Sequence, residues 1–416
     1  MPVSSSALST LFFLQLAVIV ATCRVVGWAA QRWLGQPQVV GEMIAGVLLG
    51  PSLLGWIAPG VEAALFPAES KKLLYVGAQL GVGLYMFLVG LTFDKREFGQ
   101  SAGPAAAVSV GGMAAPFTVA AAMTPWLMSL PGLFAPGVGL AQAALFLGAA
   151  IAITAFPMLA RIIHERGLAG TRLGTLSLSA GAIGDAGAWV VVALVLASLG
   201  AGAQTAWHAV LGGGLFALVM VTLAPRLLAR LDRGGPAGDG QLAWVLVLFL
   251  LSAFAMDGAG MHAVFGGFLL GTAMPRGPLA QSLRDKLEPV TTTLLLPMFF
   301  TFSGLNTQLQ VLGRMDMIGA TVAILLAAIL AKGGASYLAA RIAGETHDTA
   351  MGIGALMNAR GLMELIIVNI GLSSHIIGQS LFAMLVLMAI VTTLMAAPLF
   401  ELVARRRWQG AAVTVH

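Results

Sequence analysis

The sequence predicts an all-α polytopic membrane protein of about thirteen transmembrane helices, and three observations carry that expectation. Only 9% of the 416 residues are Asp, Glu, Lys or Arg, against about 25% in a soluble domain, and 58% are hydrophobic. Apolar stretches close to the roughly 20 residues that cross a bilayer recur along the whole chain, each bordered by charged residues or by glycine and proline. The basic residues fall in short clusters between these stretches and form no patch, so the net charge of +5 marks topology and no nucleic-acid partner is expected.

The spans follow from their borders. The first, 7–32, closes on Arg32 and a Gly/Pro turn at 35–37. The second, 38–56, carries Glu42 near its interfacial start, where a carboxylate could guard a vestibule. Span 70–93 lies between Lys71, Lys72 and the pair Lys95, Arg96. Span 103–129 is uncharged and closes on the turn at 131–137; 138–163 follows and ends on Arg161. Arg172 lies at the start of 170–199, and Arg226 at the end of 205–229, before the turn at 234–240. Two further spans, 240–257 and 259–276, meet at a short turn flanked by Asp257 and His262. The turn at 275–278 leads to 283–306. Asp316 and Arg341 delimit 316–341, Asp348 precedes 349–372, and 378–404 ends before Arg405, Arg406 and Arg407.

Met1–Thr10 contains no Lys or Arg, so the first helix is expected to be retained and not cleaved as a signal peptide. Thirteen spans put the termini on opposite sides. With the C-terminus cytoplasmic, sixteen loop Lys and Arg lie inside against three outside, Lys71, Lys72 and Arg314, which places the N-terminus outside. Cys23 is the only cysteine, which excludes a disulfide framework and a thiolate-rich metal site.

Charges within spans need a reason, because each costs about 2.5–3.5 kcal/mol at a helix centre. Arg24 lies close enough to the cytoplasmic end to snorkel. Asp185 lies thirteen residues from Arg172, about 20 Å along a helix, and so near the midplane. An acid there reads as an ion or proton site, the alternative being a hydrogen bond that merely holds the bundle. Lys332 also reaches mid-membrane and is its expected partner, either in transport or in a structural salt bridge. Two runs sit badly in a continuous helix: Ala152-Ile153-Thr154-Ala155-Phe156-Pro157, where proline removes a donor and Thr154 offers a hydroxyl, and Leu356-Met357-Asn358-Ala359-Arg360-Gly361. Each reads as a broken helix, with a proline kink as the alternative for the first. They fall in the fifth and twelfth spans, an odd offset that reverses direction, as two inverted repeats with a midplane site between them require. Glu364 follows Arg360 by one helical turn; the two either neutralise each other or serve gating or a second cation.

Enzyme chemistry is poorly supplied. The histidines never pair at a metal-ligand spacing, and no His-Glu-x-x-His or Gly-x-Ser-x-Gly run occurs, so neither an enzymatic activity nor a cofactor is expected. Ala182-Ile183-Gly184-Asp185 is one residue off the Gly-x-Gly-Asp of intramembrane aspartyl proteases, but the second aspartate their mechanism needs has no candidate.

Gly41-Glu42-Met43-Ile44-Ala45-Gly46, then Thr154-Ala155-Phe156-Pro157, then Leu356-Met357-Asn358-Ala359-Arg360-Gly361-Leu362-Met363-Glu364-Leu365, taken in order, resemble the cation:proton antiporter-2 family, particularly plant cation/proton exchangers and their bacterial relatives. The resemblance implies a sodium/proton-antiporter-like inverted-repeat fold with two broken, crossing helices. It implies a single exchanger domain over 1–416 without a soluble regulatory domain: a core of about 103–200 and 316–404, a dimerisation scaffold of about 7–93 and 240–306, and a linker helix of about 205–229. Asp185 would bind Na⁺ or K⁺ and H⁺ alternately, Thr154 would add oxygen ligands to the cation, and Lys332 would be the basic residue of the core. Ala155, Phe156, Pro157, Asn358, Arg360 and Gly361 would form the breaks, with Glu364, Glu42 and Gly184 as modulators. A homodimer in a bacterial inner membrane, working by an elevator-like movement, is the implied setting. One departure matters: relatives that move net charge usually carry Asp-Asp, and here Gly184 precedes Asp185, so an electroneutral exchange is expected. A cation channel or channel-like sensor with Asp185 lining a pore is the alternative.

Overall fold

The computed structural model describes residues 5–405 except 37, 93–101, 156–158, 160–161, 164–165, 167, 169–170, 200–202, 233, 260–262 and 361. Among them the architecture is helical, and the one β-bridge pairs Phe134 with Ile377. In chain order the helices are α1 (Ser5–Leu34), α2 (Gln38–Leu49), α3 (Leu54–Ile57), α4 (Pro59–Leu65), α5 (Ala68–Thr92), α6 (Ala102–Ser129), α7 (Leu140–Ala152), α8 (Arg172–Leu199) and α9 (Ala203–Thr222). There follow α10 (Ala224–Leu228), α11 (Asp239–Gly258), α12 (Ala263–Ala273), α13 (Pro278–Val290), α14 (Leu296–Leu305), α15 (Met315–Ile342), α16 (His347–Leu356), α17 (Leu362–Ser373) and α18 (Gln379–Arg405).

Among the described residues seven helices are long and apolar enough to cross a membrane, or eight if Leu211–Thr222 and Ala224–Leu231, bent by 45°, form one span. By length and composition alone, the expected count of thirteen is therefore not confirmed among the described residues. Counting apolar residues registers length and not continuity: α7, α12 and α17 are apolar but short. The expected span 283–306 is a composite. Its helix starts earlier, at Pro278, whose missing amide is harmless in a first turn. On α13, Leu279, Leu283 and Leu287 recur at i, i+4 on a buried face. The ladder then widens to a π turn over Thr291–Leu295, between Pro289 and Pro297, each of which withholds a backbone donor.

The chain divides into two compact units, Met1–Phe93 with Leu196–Asn306, and Asp94–Val195 with Thr307–His416. In the first, α2 and α14 approach backbone to backbone through small residues: a β-carbon on Gly304 would lie 1.9 Å from the Gly46 carbonyl oxygen, and one on Gly50 would lie 2.2 Å from that of Gly304. Neither backbone can yield without parting the helices. Gly304→Leu is accordingly expected to lower the melting temperature of the detergent-solubilised protein sharply; a variant that melts with the wild type would show that this crossing is dispensable.

The second unit is closed at both ends. At one, Gly378 donates to the Leu133 carbonyl at 2.8 Å and Ala135 to that of Ile376 at 3.2 Å. At the other, Arg172 at the start of α8 grips Glu345 in a bidentate pair, Nη2 at 2.6 Å and Nε at 2.9 Å, tying α8 to the turn between α15 and α16. Glu345 is 3% exposed and Arg172 73%, so the carboxylate is the anchored member.

Candidate ion site at two interrupted helices

The second unit holds both interruptions. Helix α7 stops at Ala152, where Ile153 turns to extended backbone, φ −65° and ψ 139°. Ile153, Thr154 and Ala155 continue without helical bonding and are buried. Helix α16 stops at Leu356; residues 357–360 are irregular and α17 resumes at Leu362. The two breaks bond to each other: the Ala155 amide donates to the Ala359 carbonyl at 3.0 Å, and Thr154 Oγ1 donates to the Met357 carbonyl at 3.1 Å. The sequence expected both breaks, and the structure places them against one another. Phe156, Pro157 and Gly361 lie outside the described residues, so the cause expected for the first break, the proline, does too.

A helix that ends out of water leaves four carbonyls without partners. Those of α7 can be followed one by one. Ala149 accepts from the Ile153 amide at 3.2 Å. Ala150 accepts from Arg360 Nη1 at 3.1 Å, and Ile151 from Arg360 Nη2. Ala152 accepts from Lys332 Nζ. Two fully buried cations thus cap the partially negative end of α7. Arg360 Nη2 also reaches the Ala328 carbonyl on α15 at 3.3 Å. The end of α16 is met mostly from within: Ala359 and Asn358 amides bond Leu356 and Ala355, and Asn358 Nδ2 donates to Gly354 at 3.1 Å.

The local pairing of Arg360 with Glu364 expected from the sequence is present, and the guanidinium has further partners. Arg360 does come within 3.5 Å of Glu364, and both are buried, but its hydrogen bonds go to the other broken helix. Glu42 is not among these residues. It lies on α2 in the first unit, buried, accepting from Gln38 Nε2 at 2.8 Å.

Asp185 lies on α8, and its side chain is outside the described residues. Its helix is placed by its glycines. A β-carbon on Gly184 would lie 3.2 Å from Ser109 Oγ, and one on Gly187 would lie 2.9 Å from the Met113 side chain, so α8 runs along α6. One turn beyond Ser109, a β-carbon on Gly112 would lie 2.6 Å from Ser336 Oγ and 3.9 Å from Lys332 Nζ. Helix α6 therefore meets the Asp185 helix and Lys332 within one turn, at positions i and i+3. Ser109, Gly112 and Ser336 were not expected from the sequence; small residues in an apolar helix carry no periodic signal of what they abut. Thr154 Oγ1 spends its proton on Met357 and keeps its lone pairs, which suits it to a cation. Among the described residues no three His, Cys, Asp or Glu side chains gather as a metal cluster.

Three comparisons bear on this arrangement. A family model described as "Sodium/hydrogen exchanger, transmembrane" matches residues 17–405. The chain is 36% identical over 396 residues to the Na⁺/H⁺ antiporter NhaS4 of Synechocystis, covering 94% of this chain and 96% of that one. It is 34% identical to cation/H⁺ antiporter 17 of Arabidopsis thaliana, spanning 48% of that longer protein. The solved structure of the sodium proton antiporter MjNhaP1 from Methanocaldococcus jannaschii matches with a TM-score of 0.66 over 98% of this chain and 100% of that one, at 12% identity, a likeness of fold.

Proposed function

We propose, from the premise that the chain belongs to the sodium/hydrogen exchanger family, that it exchanges a monovalent cation, Na⁺ or K⁺, for protons across a membrane. The observation that carries the reading is the mutual bonding of the two breaks, Thr154 to Met357 and Ala155 to Ala359, with the end of α7 capped by Lys332 and Arg360. Irregular backbone at membrane depth is tolerated where it lines an ion's place, and here one hydroxyl with spare lone pairs stands in it.

In this reading Asp185 is the exchanging group. A carboxylate out of water is costly unless a positive charge or a proton compensates it, and one carboxylate holds a proton or a dehydrated cation, not both. Lys332 compensates it when neither is bound, from its place against the α6 turn that also borders α8. Thr154 contributes an oxygen ligand to the cation. Alternating exposure to the two sides follows from an elevator-like movement of the second unit in a homodimer within a bacterial inner membrane, N-terminus outside. The family is a transporter family, and the named relatives are antiporters, which leaves the channel alternative without support.

The test is transport by the purified protein in proteoliposomes under an imposed pH gradient, with Na⁺, K⁺ and Li⁺ compared. Saturable cation uptake against proton movement is expected; ionic current without proton movement would replace the exchanger by a channel.

Charge balance gives a second expectation. Gly184 leaves a single carboxylate in the cycle, so the site carries one proton one way or one cation the other, and the exchange is electroneutral. Clamping the vesicle potential at several values should leave rate and reversal point unchanged. Dependence on voltage would mean that a second group, Lys332 or another buried one, also releases a proton and couples two protons to each cation.

A further inference from the structure

Glu364 is a fully buried ionisable group that the exchange cycle leaves unused. It lies in the first turn of α17, its side chain is fully buried, and neither Oε1 nor Oε2 accepts a hydrogen bond. Its charged neighbour is Arg360, with Nη1 3.5 Å from Oε1. The hydrogen bonds of that guanidinium are directed elsewhere, Nη1 to Ala150 and Nη2 to Ile151 and Ala328, while Nε bonds nothing. Arg360 is thus shared between the negative end of α7 and a carboxyl it does not hydrogen-bond.

Among the described residues no other ion pair reaches Glu364. Helix α17 carries no second charged residue, and neither α7, against which it packs, nor α6 carries any. On α18, its other neighbour, the charged residues are Glu401 and Arg405 in the last turns. His347 and Asp348 begin α16, at the far end from the break, and Lys332 on α15 donates to Ala152. Asp185 is on α8 in the same unit. A carboxylate buried without a hydrogen-bond donor is among the costliest groups a membrane protein can hold, and a proton removes the charge.

We propose that Glu364 is a second proton-binding carboxyl, protonated in the arrangement seen here and released when Arg360 leaves the α7 carbonyls to pair with it. In that step the Glu364 O–H bond breaks, the proton passes to water, and the carboxylate formed takes the guanidinium as its counter-ion. Capping α7 holds the Nη donors on the carbonyls and leaves Glu364 an ion-pair contact at 3.5 Å without a hydrogen bond, so a rearrangement of the crossing that gives Glu364 those donors is linked to a proton other than that on Asp185. The link to exchange rests on the antiport reading; the protonation does not.

Infrared spectroscopy of the purified protein reads the protonation directly. At neutral pH a protonated-carboxyl band is expected in the wild type and in Asp185→Asn, and its loss when Glu364→Gln is added to Asp185→Asn. Wild-type protein labelled with ¹³C at the glutamate carboxyl gives the same reading without a substitution, the band moving with the label. In proteoliposomes Glu364→Gln should keep cation/proton exchange but lose one pH-dependent limb of its rate profile, and Glu364→Asp should restore it. A band that persists in the Asp185→Asn, Glu364→Gln double variant, a wild-type band no part of which moves with the label, or a Glu364→Gln rate profile superimposable on the wild type would overturn the proposal. Vesicles that show no exchange with the wild type would defeat the antiport reading while the infrared band still decided the state of Glu364.

Discussion

Asp185→Asn is expected to reduce cation-dependent proton flux to the level of empty vesicles while the protein still inserts and folds. The amide matches the carboxylate in shape, so packing along α6, set by Gly184 against Ser109 and Gly187 against Met113, is undisturbed. What changes is the chemistry: an amide releases no proton in the accessible pH range and brings no negative charge to a dehydrated cation. Lys332 then loses the compensating group proposed for it but keeps its bond to the Ala152 carbonyl, which holds the end of α7 together. The measurement is flux in proteoliposomes beside thermal melting in detergent. Substantial flux from a well-folded variant would remove Asp185 from the cycle, and loss of flux together with loss of folding would be read against a second variant, Asp185→Glu, whose partial flux is the expected sign of a site intact but misplaced.

The interruptions were legible because each breaks a rule of continuous helices within six residues: Thr154 and Pro157 in one, Asn358, Arg360 and Gly361 in the other. What they bond to was not legible. Arg360 read locally, with Glu364 one turn ahead, whereas its hydrogen bonds reach carbonyls 210 and 209 residues earlier in the chain. Sequence spacing cannot see across that distance, although the helix-end rule held a clue. A helix ending at midplane leaves carbonyls that must find donors, and Arg360 and Lys332 were buried cations in search of partners. The count of thirteen spans is not confirmed by helix length alone, since hydropathy adds residues without testing whether one ladder connects them. Glu42 shows what a motif leaves open. Its motif gave it a role as a modulator but not a partner, and the structure shows its carboxylate accepting from Gln38 on the same helix.

Arg360→Met separates the two tasks assigned to this arginine. If its weight lay in neutralising Glu364, a methionine would leave one uncompensated carboxyl, and adding Glu364→Gln would largely repair the protein. The bonds to Ala150 and Ile151 predict otherwise. Methionine fills similar volume but donates nothing, so two buried carbonyls at the negative end of α7 lose their partners, at about 1–3 kcal/mol each. A third, on Ala328, is weakened with them. The expected result is a large drop in melting temperature in detergent, with aggregation on membrane extraction. The Arg360→Met, Glu364→Gln double variant should be no more stable than the single, because removing the carboxyl does not restore a donor. Arg360→Lys, which keeps one charged donor of shorter reach, should fall between. Recovery of wild-type melting in the double variant would return Arg360 to the role of a local counter-ion and leave the end of α7 to be satisfied by Lys332 alone.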